Sequence, residues 1–291
     1  MVKVGNITYF FSYNNLVVYI EIYLSDYYGM DSCSIEDVDE GYTILFHDNH
    51  YLLFLISSID NINFYFDFSY KIHYSYSFIP NKYGKYLNTI DGESYVLLKT
   101  HSYSITYYDI INPYIMEVII SINWREKWIK KSEMLQSFYY ENRGKYSIID
   151  ESIPYYSSLL DYAIYLLNDF SSYKGYGFIQ HLFLDNNSFC NPFYFIIDIK
   201  ERDIASYWKY LFYHNDYYGD YLWKSFCSQS FNYSLILARL LYPDWYLLEL
   251  EKILYYQKSV DDLRKIVSKT SSYANMIHEF SSFCGIKKVS L

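Results

Sequence analysis

A small set of side chains in this 291-residue chain has the chemistry that phosphoryl transfer requires. His181 ends an apolar segment, and the carboxylates of Asp185, Asp198 and Asp203 follow it along the chain. Phosphoryl transfer uses a base near the acceptor hydroxyl, carboxylates that hold Mg²⁺ and a cation on the phosphates. Lys99, which follows an apolar run, is the candidate for that cation. These residues would have to be brought together by the surrounding strands and helices.

The first third of the chain is predicted to be rich in strands. Residues 16–28 have apolar side chains at helical spacing and predict an amphipathic helix. Apolar runs on both sides of residues 47–50 predict a hairpin, and a second hairpin is predicted across Asp91-Gly92, a pair that tolerates the positive φ of a tight turn. Residues 64–78 fit either a strand or a helix, and we favour a helix.

After His101 the pattern is helical. Five long helices are predicted, at residues 122–140, 155–170, 204–212, 234–256 and 261–283. Pro154 is expected in the first turn of the second of them, and loops are expected at 143–145 and 171–175. This order predicts an α+β protein with two domains, an N-terminal antiparallel sheet with helices (residues 1–101) and a helical C-terminal domain (residues 102–291).

Composition excludes several classes of function. The net charge is −9 and no dense run of Lys or Arg is present, so nucleic-acid binding is not expected. No apolar run reaches about 18 residues, so we expect no transmembrane segment and synthesis in the cytoplasm. The four cysteines are far apart and the histidines are scattered, so the sequence predicts no metal cluster.

Three segments carry a resemblance to a known family. They are residues 153–164 (IPYYSSLLDYAI), residues 202–207 (RDIASY), and residues 238–243 (ARLLYP) with Tyr246. Together with the order of the predicted elements, they resemble the YutH-type, spore-coat-associated branch of the CotS group, within the choline kinase and aminoglycoside phosphotransferase superfamily. The resemblance covers roughly residues 40–287 and implies a two-lobed protein-kinase-like fold, with a small strand-rich N-lobe and a larger helical C-lobe.

The resemblance also implies where the catalytic residues should be, and the sequence departs from it there. His181 matches the family histidine, but Phe183 stands at the position of the catalytic aspartate and cannot accept a proton. Asp185 is either a shifted replacement or part of an ordinary Asp-Asn-Asn turn, and we favour the turn. With the acid missing, a structural role for His181 is favoured over catalysis.

The metal-binding and bracing carboxylates are assigned by the same resemblance. Asp198 follows an apolar run as a metal-binding aspartate would, but alignment on Arg202-Asp203 places the metal position near Phe195 and makes Asp198 a loop residue. We favour the second alignment. Asp203 is expected to cap the following helix and, as in the resembling kinases, to brace the backbone of the catalytic loop.

The expected phosphate-binding parts of the N-lobe are also missing. No Lys or Arg occurs between Lys3 and Lys71, and the early glycines are isolated. Leu98 and Lys99 are expected at the hinge between lobes, where a solvated lysine is favoured over phosphate binding.

Three functions remain open. The first is a catalytically degenerate kinase-like protein, which by resemblance is a scaffold in sporulation and the spore coat, with protein partners that include other coat proteins and no cofactor. The second is an active phosphotransferase on a hydroxyl-bearing small molecule, using ATP and Mg²⁺. The third is a non-catalytic module that binds a ligand in the cleft between the lobes.

Overall fold

The protein is described by a computed structural model. It describes residues 13–38, 41–56, 76–100, 105–170, 173–182, 184, 189, 194–215, 230–256 and 259–286. The chain divides into two compact units, and the boundary between them falls between Ser104 and Ile105. Of the described residues, those up to Thr100 belong to unit 1 and those from Ile105 onward belong to unit 2.

Unit 1 is an antiparallel sheet with one described helix packed against it. The helix α1 (Tyr13–Tyr28) precedes strands β1 (Ser34–Val38), β2 (Gly41–Phe46), β3 (Asn49–Leu55), β4 (Tyr76–Ile79), β5 (Leu87–Ile90) and β6 (Glu93–Thr100). The strand order is β1-β2-β3-β6-β4, and β5 also pairs with β6. Ile20 and Leu24 of α1 pack against Ile44, Leu53 and Leu97 of the sheet, and these side chains form its core.

Both predicted hairpins of unit 1 are confirmed. His47 and Asp48 connect β2 to β3, and Asp91 and Gly92 connect β5 to β6, all with positive φ. Consecutive left-handed residues give the turn the right-handed twist of the strands it joins. Gly41 is required for a different reason: a Cβ atom there would lie 2.0 Å from the carbonyl oxygen of Leu53 on the neighbouring strand.

Unit 2 combines a three-stranded sheet with eight helices in its described residues. The antiparallel sheet has the order β7-β8-β9, formed by β7 (Ile115–Ser121), β8 (Lys174–His181) and β9 (Phe195–Asp198). The helices are α2 (Tyr107–Ile111), α3 (Trp124–Asn142), α4 (Ser147–Leu166), α5 (Glu201–Asn215), α6 (Tyr233–Leu241), α7 (Asp244–Tyr256), α8 (Asp261–Ser268) and α9 (Thr270–Phe283). A short 3₁₀ turn, Asn168–Phe170, follows α4. The predicted α+β class is confirmed.

Helix α6 lies at the centre of unit 2, in contact with α4, α5 and α9. Its residues from Leu235 to Leu241 are all buried, and all of them except Arg239 are apolar. Asn232 caps its N-terminus by accepting a hydrogen bond from the backbone N–H of Leu235. Its C-terminus is set by Pro243, because the residue before a proline, Tyr242, is extended rather than helical.

Several predicted boundaries are wrong. The helix predicted at 234–256 is two helices separated at Pro243, and the helix predicted at 261–283 is interrupted at Lys269. Pro154 lies well inside α4 because that helix begins earlier than predicted, at Ser147.

Two other predicted segments lie partly outside the residues that the structure describes. The loop at 143–145 is present, but the end of the loop predicted at 171–175 belongs to β8. Most of the helix predicted at 64–78 lies outside the described residues, and its last residues belong to strand β4. No helix within the described ranges is both long enough and apolar enough to span a membrane.

Candidate functional site

The candidate site begins at the end of strand β8, where His181 is buried in unit 2. His181 is paired with Phe195 across the β8–β9 ladder. Its ring stacks on Phe189 with the centroids 4.3 Å apart, and it meets the edge of Phe195 at 5.2 Å. The imidazole is therefore enclosed by two aromatic side chains.

Asp203 holds both the backbone and the ring of His181. Asp203 Oδ1 accepts a hydrogen bond from the backbone N–H of His181 at 3.0 Å, and Asp203 Oδ2 lies 2.5 Å from His181 Nδ1. The backbone N–H of Asp203 donates in turn to Gln180 Oε1 at 2.8 Å. These three contacts bind the end of β8 to the start of α5.

The expected capping role of Asp203 is wrong. Helix α5 begins at Glu201, so Asp203 lies within its first turn and not before it. Its carboxylate accepts hydrogen bonds from His181 rather than from the N–H groups of its own helix. Asp203 was also expected to contact the backbone near His181. It does so by accepting a hydrogen bond from the backbone N–H of His181.

A carboxylate can accept the proton of Nδ1, and this contact favours the imidazole tautomer protonated at Nδ1. The other ring nitrogen, Nε2, is then the one with a free lone pair. Nε2 is buried and has no hydrogen-bond partner among the described residues. The contact with Asp203 and the two aromatic neighbours therefore fix the orientation of the ring.

Asp198 is the last residue of strand β9, and its carboxylate is held from three directions. Oδ2 accepts hydrogen bonds from Trp124 Nε1 at 2.8 Å and from Arg202 at 3.0 Å, and Oδ1 accepts from the backbone N–H of Ile199 at 2.8 Å. The side chains of Asp198 and Arg202 are 12% and 13% exposed, so this ion pair is largely shielded from water. Arg202 also donates to the backbone oxygen of His181 at 3.1 Å, which joins both carboxylates into one network.

This position contradicts one part of the favoured alignment, the placement of Asp198 in a loop. Asp198 was expected to be a loop residue, with the metal position near Phe195, but Asp198 pairs with Phe178 in the β8–β9 ladder. Phe195 is buried at the other end of the same strand. The structure thus leaves Asp198 as the strand-end carboxylate that faces Arg202.

The described residues do not fit a metal site. Within the described ranges no group of three or more His, Cys, Asp or Glu side chains is arranged to hold a metal ion. Asp198 Oδ2 already accepts from a guanidinium and an indole, so a cation at that oxygen would have to displace them. Phe183 and Asp185 lie outside the described residues.

Leu98 and Lys99, the residues expected at the hinge, are strand residues of unit 1. Both lie inside strand β6, where Leu98 pairs with Leu52 on one side and Phe78 on the other. Lys99 is opposite Tyr51, and its Nζ lies 6.0 Å from the centre of that ring. The strand continues to Thr100.

Glu201, the first residue of α5, is a buried carboxylate that the sequence did not single out. Oε1 accepts a hydrogen bond from the backbone N–H of Asn232 at 2.9 Å. Oε2 is buried and has no partner in the part of the chain that the structure describes. Burial raises the pKa of this carboxyl above its ordinary value.

A second ionic cluster in unit 2 was also missed. Lys209 of α5 is 2% exposed, and its Nζ donates to Asp244 Oδ1 at 2.8 Å and to the backbone oxygen of Tyr242 at 2.5 Å. Burial lowers the pKa of Lys209 to about 8 despite the attraction of Asp244. Arg239 of α6 lies beside them and contacts the ring of Trp124, whose indole bonds Asp198. The signal in the sequence was clearest for Arg239, the one charged residue in the apolar segment of α6.

Comparison with known proteins identifies the fold. No model of a known protein family matches the sequence, and a search of curated proteins finds no match. Solved structures do match. An aminoglycoside phosphotransferase from Alicyclobacillus acidocaldarius superposes with a TM-score of 0.55 at 9% identity, covering 86% of this chain and 91% of that one.

Spectinomycin phosphotransferase gives the same result in two crystal structures. Its complex with ADP and spectinomycin has a TM-score of 0.54 at 12% identity and covers 93% of this chain and 94% of that one. Its AMP-bound complex has a TM-score of 0.58 at 11% identity and covers 86% and 93%.

The chain has a kinase-like fold. Its antiparallel N-terminal sheet and helical C-terminal part correspond to the aminoglycoside phosphotransferase type, and the predicted fold is confirmed. At these low identities the likeness concerns the fold alone.

Proposed function

We propose that this chain is a catalytically degenerate kinase-like protein, in which the phosphotransferase fold serves as a scaffold. The observation that carries the proposal is the environment of Asp198, a strand-end carboxylate and one of the two positions that the resemblance offers for a metal ligand. Its oxygens accept hydrogen bonds from Arg202, Trp124 and the backbone of Ile199. This arrangement neutralises and orients the carboxylate without a metal ion.

Metal binding at Oδ2 of Asp198 would break contacts that are present in the structure. A hydrogen bond to a charged group contributes about 1.5–3 kcal/mol, and the contacts from Arg202 and Trp124 would have to be exchanged for contacts to Mg²⁺. Breaking them would also leave a guanidinium largely shielded from water without its partner, at a further cost of several kcal/mol. Mg²⁺ retains its water shell strongly and usually binds with one or two carboxylates plus substrate phosphates.

The sequence supports the same proposal at two other positions. Phe183 stands where the resemblance requires the catalytic acid, and no cation is present from residue 4 to residue 70 to bind phosphate. The contacts of His181 are consistent with a bracing role, since Asp203 and Arg202 hold both its ring and its backbone. Three separate parts of the phosphotransfer apparatus are thus altered together.

The cellular role is proposed from the resemblance to the spore-coat branch. In this role the protein is made in the cytoplasm, associates with the spore coat and binds other coat proteins, without ATP or Mg²⁺.

An active phosphotransferase is the second candidate. The observation in its favour is the likeness to enzymes whose crystal structures contain ADP with spectinomycin, or AMP. Asp185 would have to replace the missing acid, and Asp198 would have to leave Arg202 to bind Mg²⁺. The loss of even one preorganised electrostatic contact costs about 3–4 kcal/mol of transition-state stabilisation, so the replacement would have to be nearly complete.

A non-catalytic module that binds a ligand between the lobes is the third candidate, and binding without turnover would distinguish it from the second.

An ADP-release assay tests the proposal. The purified chain is incubated with ATP and Mg²⁺ and with aminocyclitols, choline-like alcohols and sugars, alongside a variant with Asp198→Ala. The expected result is ADP release at the rate of the buffer control for both proteins. Substrate-dependent ADP release that is lost in Asp198→Ala would contradict the proposal. An Asp262→Ala variant, changed at an exposed aspartate of α8, is the matched control for the substitution.

A further inference from the structure

Helix α6 places one charged side chain in the interior of unit 2. Arg239 is 5% exposed and is surrounded by aromatic rings. Its guanidinium carbon lies 5.1 Å from the centre of Trp124, 5.7 Å from Trp128 and 5.6 Å from Tyr242. Ring faces attract a cation, but they do not replace the oxygen acceptors that its N–H donors need.

The guanidinium lacks a hydrogen-bonded counter-ion in the part of unit 2 that the structure describes. The carboxylate oxygen paired with it, Asp244 Oδ2, is 4.0 Å from its terminal nitrogen, which is too far for a hydrogen bond. The other oxygen of Asp244 accepts from Lys209 at 2.8 Å. Arg239 Nε is buried and has no partner among the described residues. A buried charge without a hydrogen-bonded counter-ion is costly, so an anionic ligand beside the guanidinium would stabilise it.

A cavity is present beside this side chain. Its volume is about 560 Å³, within the range of sites that hold small organic molecules. Arg239 forms part of the wall, and much of the remainder is apolar. The apolar and aromatic lining residues are Leu182, Leu184, Tyr242, Trp245, Leu247 and Leu248.

The other charged residues of the wall have partners. Lys131 is paired with Glu251, and Lys252 is paired with Glu249 at 2.6 Å. Asp244 is paired with Lys209. Among the lysine and arginine residues described in this wall, Arg239 is therefore the one without a hydrogen-bonded carboxylate.

We propose that the cavity binds a small organic carboxylate, with its apolar or aromatic body against the leucines and Trp245 and its carboxylate on Arg239. A carboxylate fits because its two oxygens match the planar fork of a guanidinium and supply one negative charge. A cationic ligand would face Arg239 without a free carboxylate opposite it. This inference does not depend on whether the chain transfers phosphate.

The test uses a panel of aryl and alkyl monocarboxylates, from phenylacetate and 4-phenylbutyrate to octanoate, each with its neutral amide. Binding to the full chain is detected by ligand-observed NMR and quantified by titration calorimetry. We expect at least one carboxylate to bind with a measurable Kd and its amide to bind at least about tenfold more weakly, because a charged hydrogen bond is lost. If no carboxylate binds, or if the amides bind equally well, the proposal is wrong.

Two variants locate the site. Arg239→Lys keeps the charge but removes the fork and is expected to weaken carboxylate binding at least about tenfold. Leu248→Trp fills the cavity from a partly exposed position on α7 and is expected to abolish binding. Leu45→Trp, the same substitution at a similarly exposed leucine of unit 1, is the matched control and should bind as the wild type does. If Arg239→Lys fails to fold, Leu248→Trp still decides, since undiminished binding in that variant would place the ligand elsewhere.

Discussion

Replacing Asp203 is expected to have a large effect on stability, and its size can be worked out from the contacts. Asp203 is 3% exposed and accepts two hydrogen bonds from His181, one from the backbone and one from the ring. Asp203→Ala would leave both donors buried without an acceptor. Each such group costs about 1–3 kcal/mol, so we expect a loss of roughly 2–6 kcal/mol for the two together.

Asp203→Asn separates the two contacts. The amide oxygen can still accept the backbone N–H of His181, while the amide nitrogen replaces the oxygen that faces the ring. The expected loss is therefore smaller, about 1–3 kcal/mol, the contribution of one charge-assisted hydrogen bond. A double-mutant cycle with His181→Gln should show coupling between the two side chains.

The assay is urea unfolding at pH 7, followed by circular dichroism and tryptophan fluorescence so that two-state behaviour is checked by two probes. Asp262→Asn in the exposed part of α8 is the control, and no measurable change is expected for it. A loss below about 1 kcal/mol for Asp203→Ala would refute the bracing role of this carboxylate.

Three other substitutions test the buried polar groups. Lys209, with a pKa lowered to about 8, binds its proton less tightly than in the unfolded chain, so wild-type stability should rise between pH 8 and pH 10. The free energy of unfolding, measured with urea, should rise between pH 8 and pH 10 by roughly 2 kcal/mol more in the wild type than in Lys209→Met. Equal pH dependence of the two proteins would contradict this prediction. Burial raises the pKa of Glu201, so its charge costs stability above the unfolded pKa of about 4.3. Glu201→Gln should therefore be more stable than wild type at pH 7 and lose that advantage near pH 4. Trp124→Phe removes the indole donor to Asp198 and should cost about 1–2 kcal/mol of unfolding free energy, with a change within error contradicting the assigned contact.

Local signals predicted the two hairpins of unit 1, but not strands β1 and β4. Asp91-Gly92 adopts positive φ at both positions, as a two-residue hairpin requires, and the turn sets the register of β5 with β6. The helix boundaries of unit 2 were predicted less well. Residues 234–256 have one continuous apolar pattern, and the break at Pro243 comes from the steric effect of a proline on the residue before it.

The contacts of the candidate site could not be predicted from spacing. Trp124 and Asp198 are 74 residues apart, and Lys209 and Asp244 are 35 apart, so only the packing of the helices brings them together. The pairing of Asp203 with the loop after β8 was expected from the resemblance alone. Asp198 was misplaced because its short separation from Asp203 favoured a loop, whereas the strand β9 continues to Asp198 and α5 begins at Glu201.

Titration of the chain with ATP in the presence of Mg²⁺, followed by calorimetry, tests the central claim most directly. The proposed degeneracy predicts no Mg²⁺-dependent heat of binding up to millimolar ATP, and the same result for an Asp198→Asn variant. Saturable ATP binding that requires Mg²⁺ and is lost in Asp198→Asn would show that this carboxylate leaves Arg202 to hold the metal, and would contradict the account.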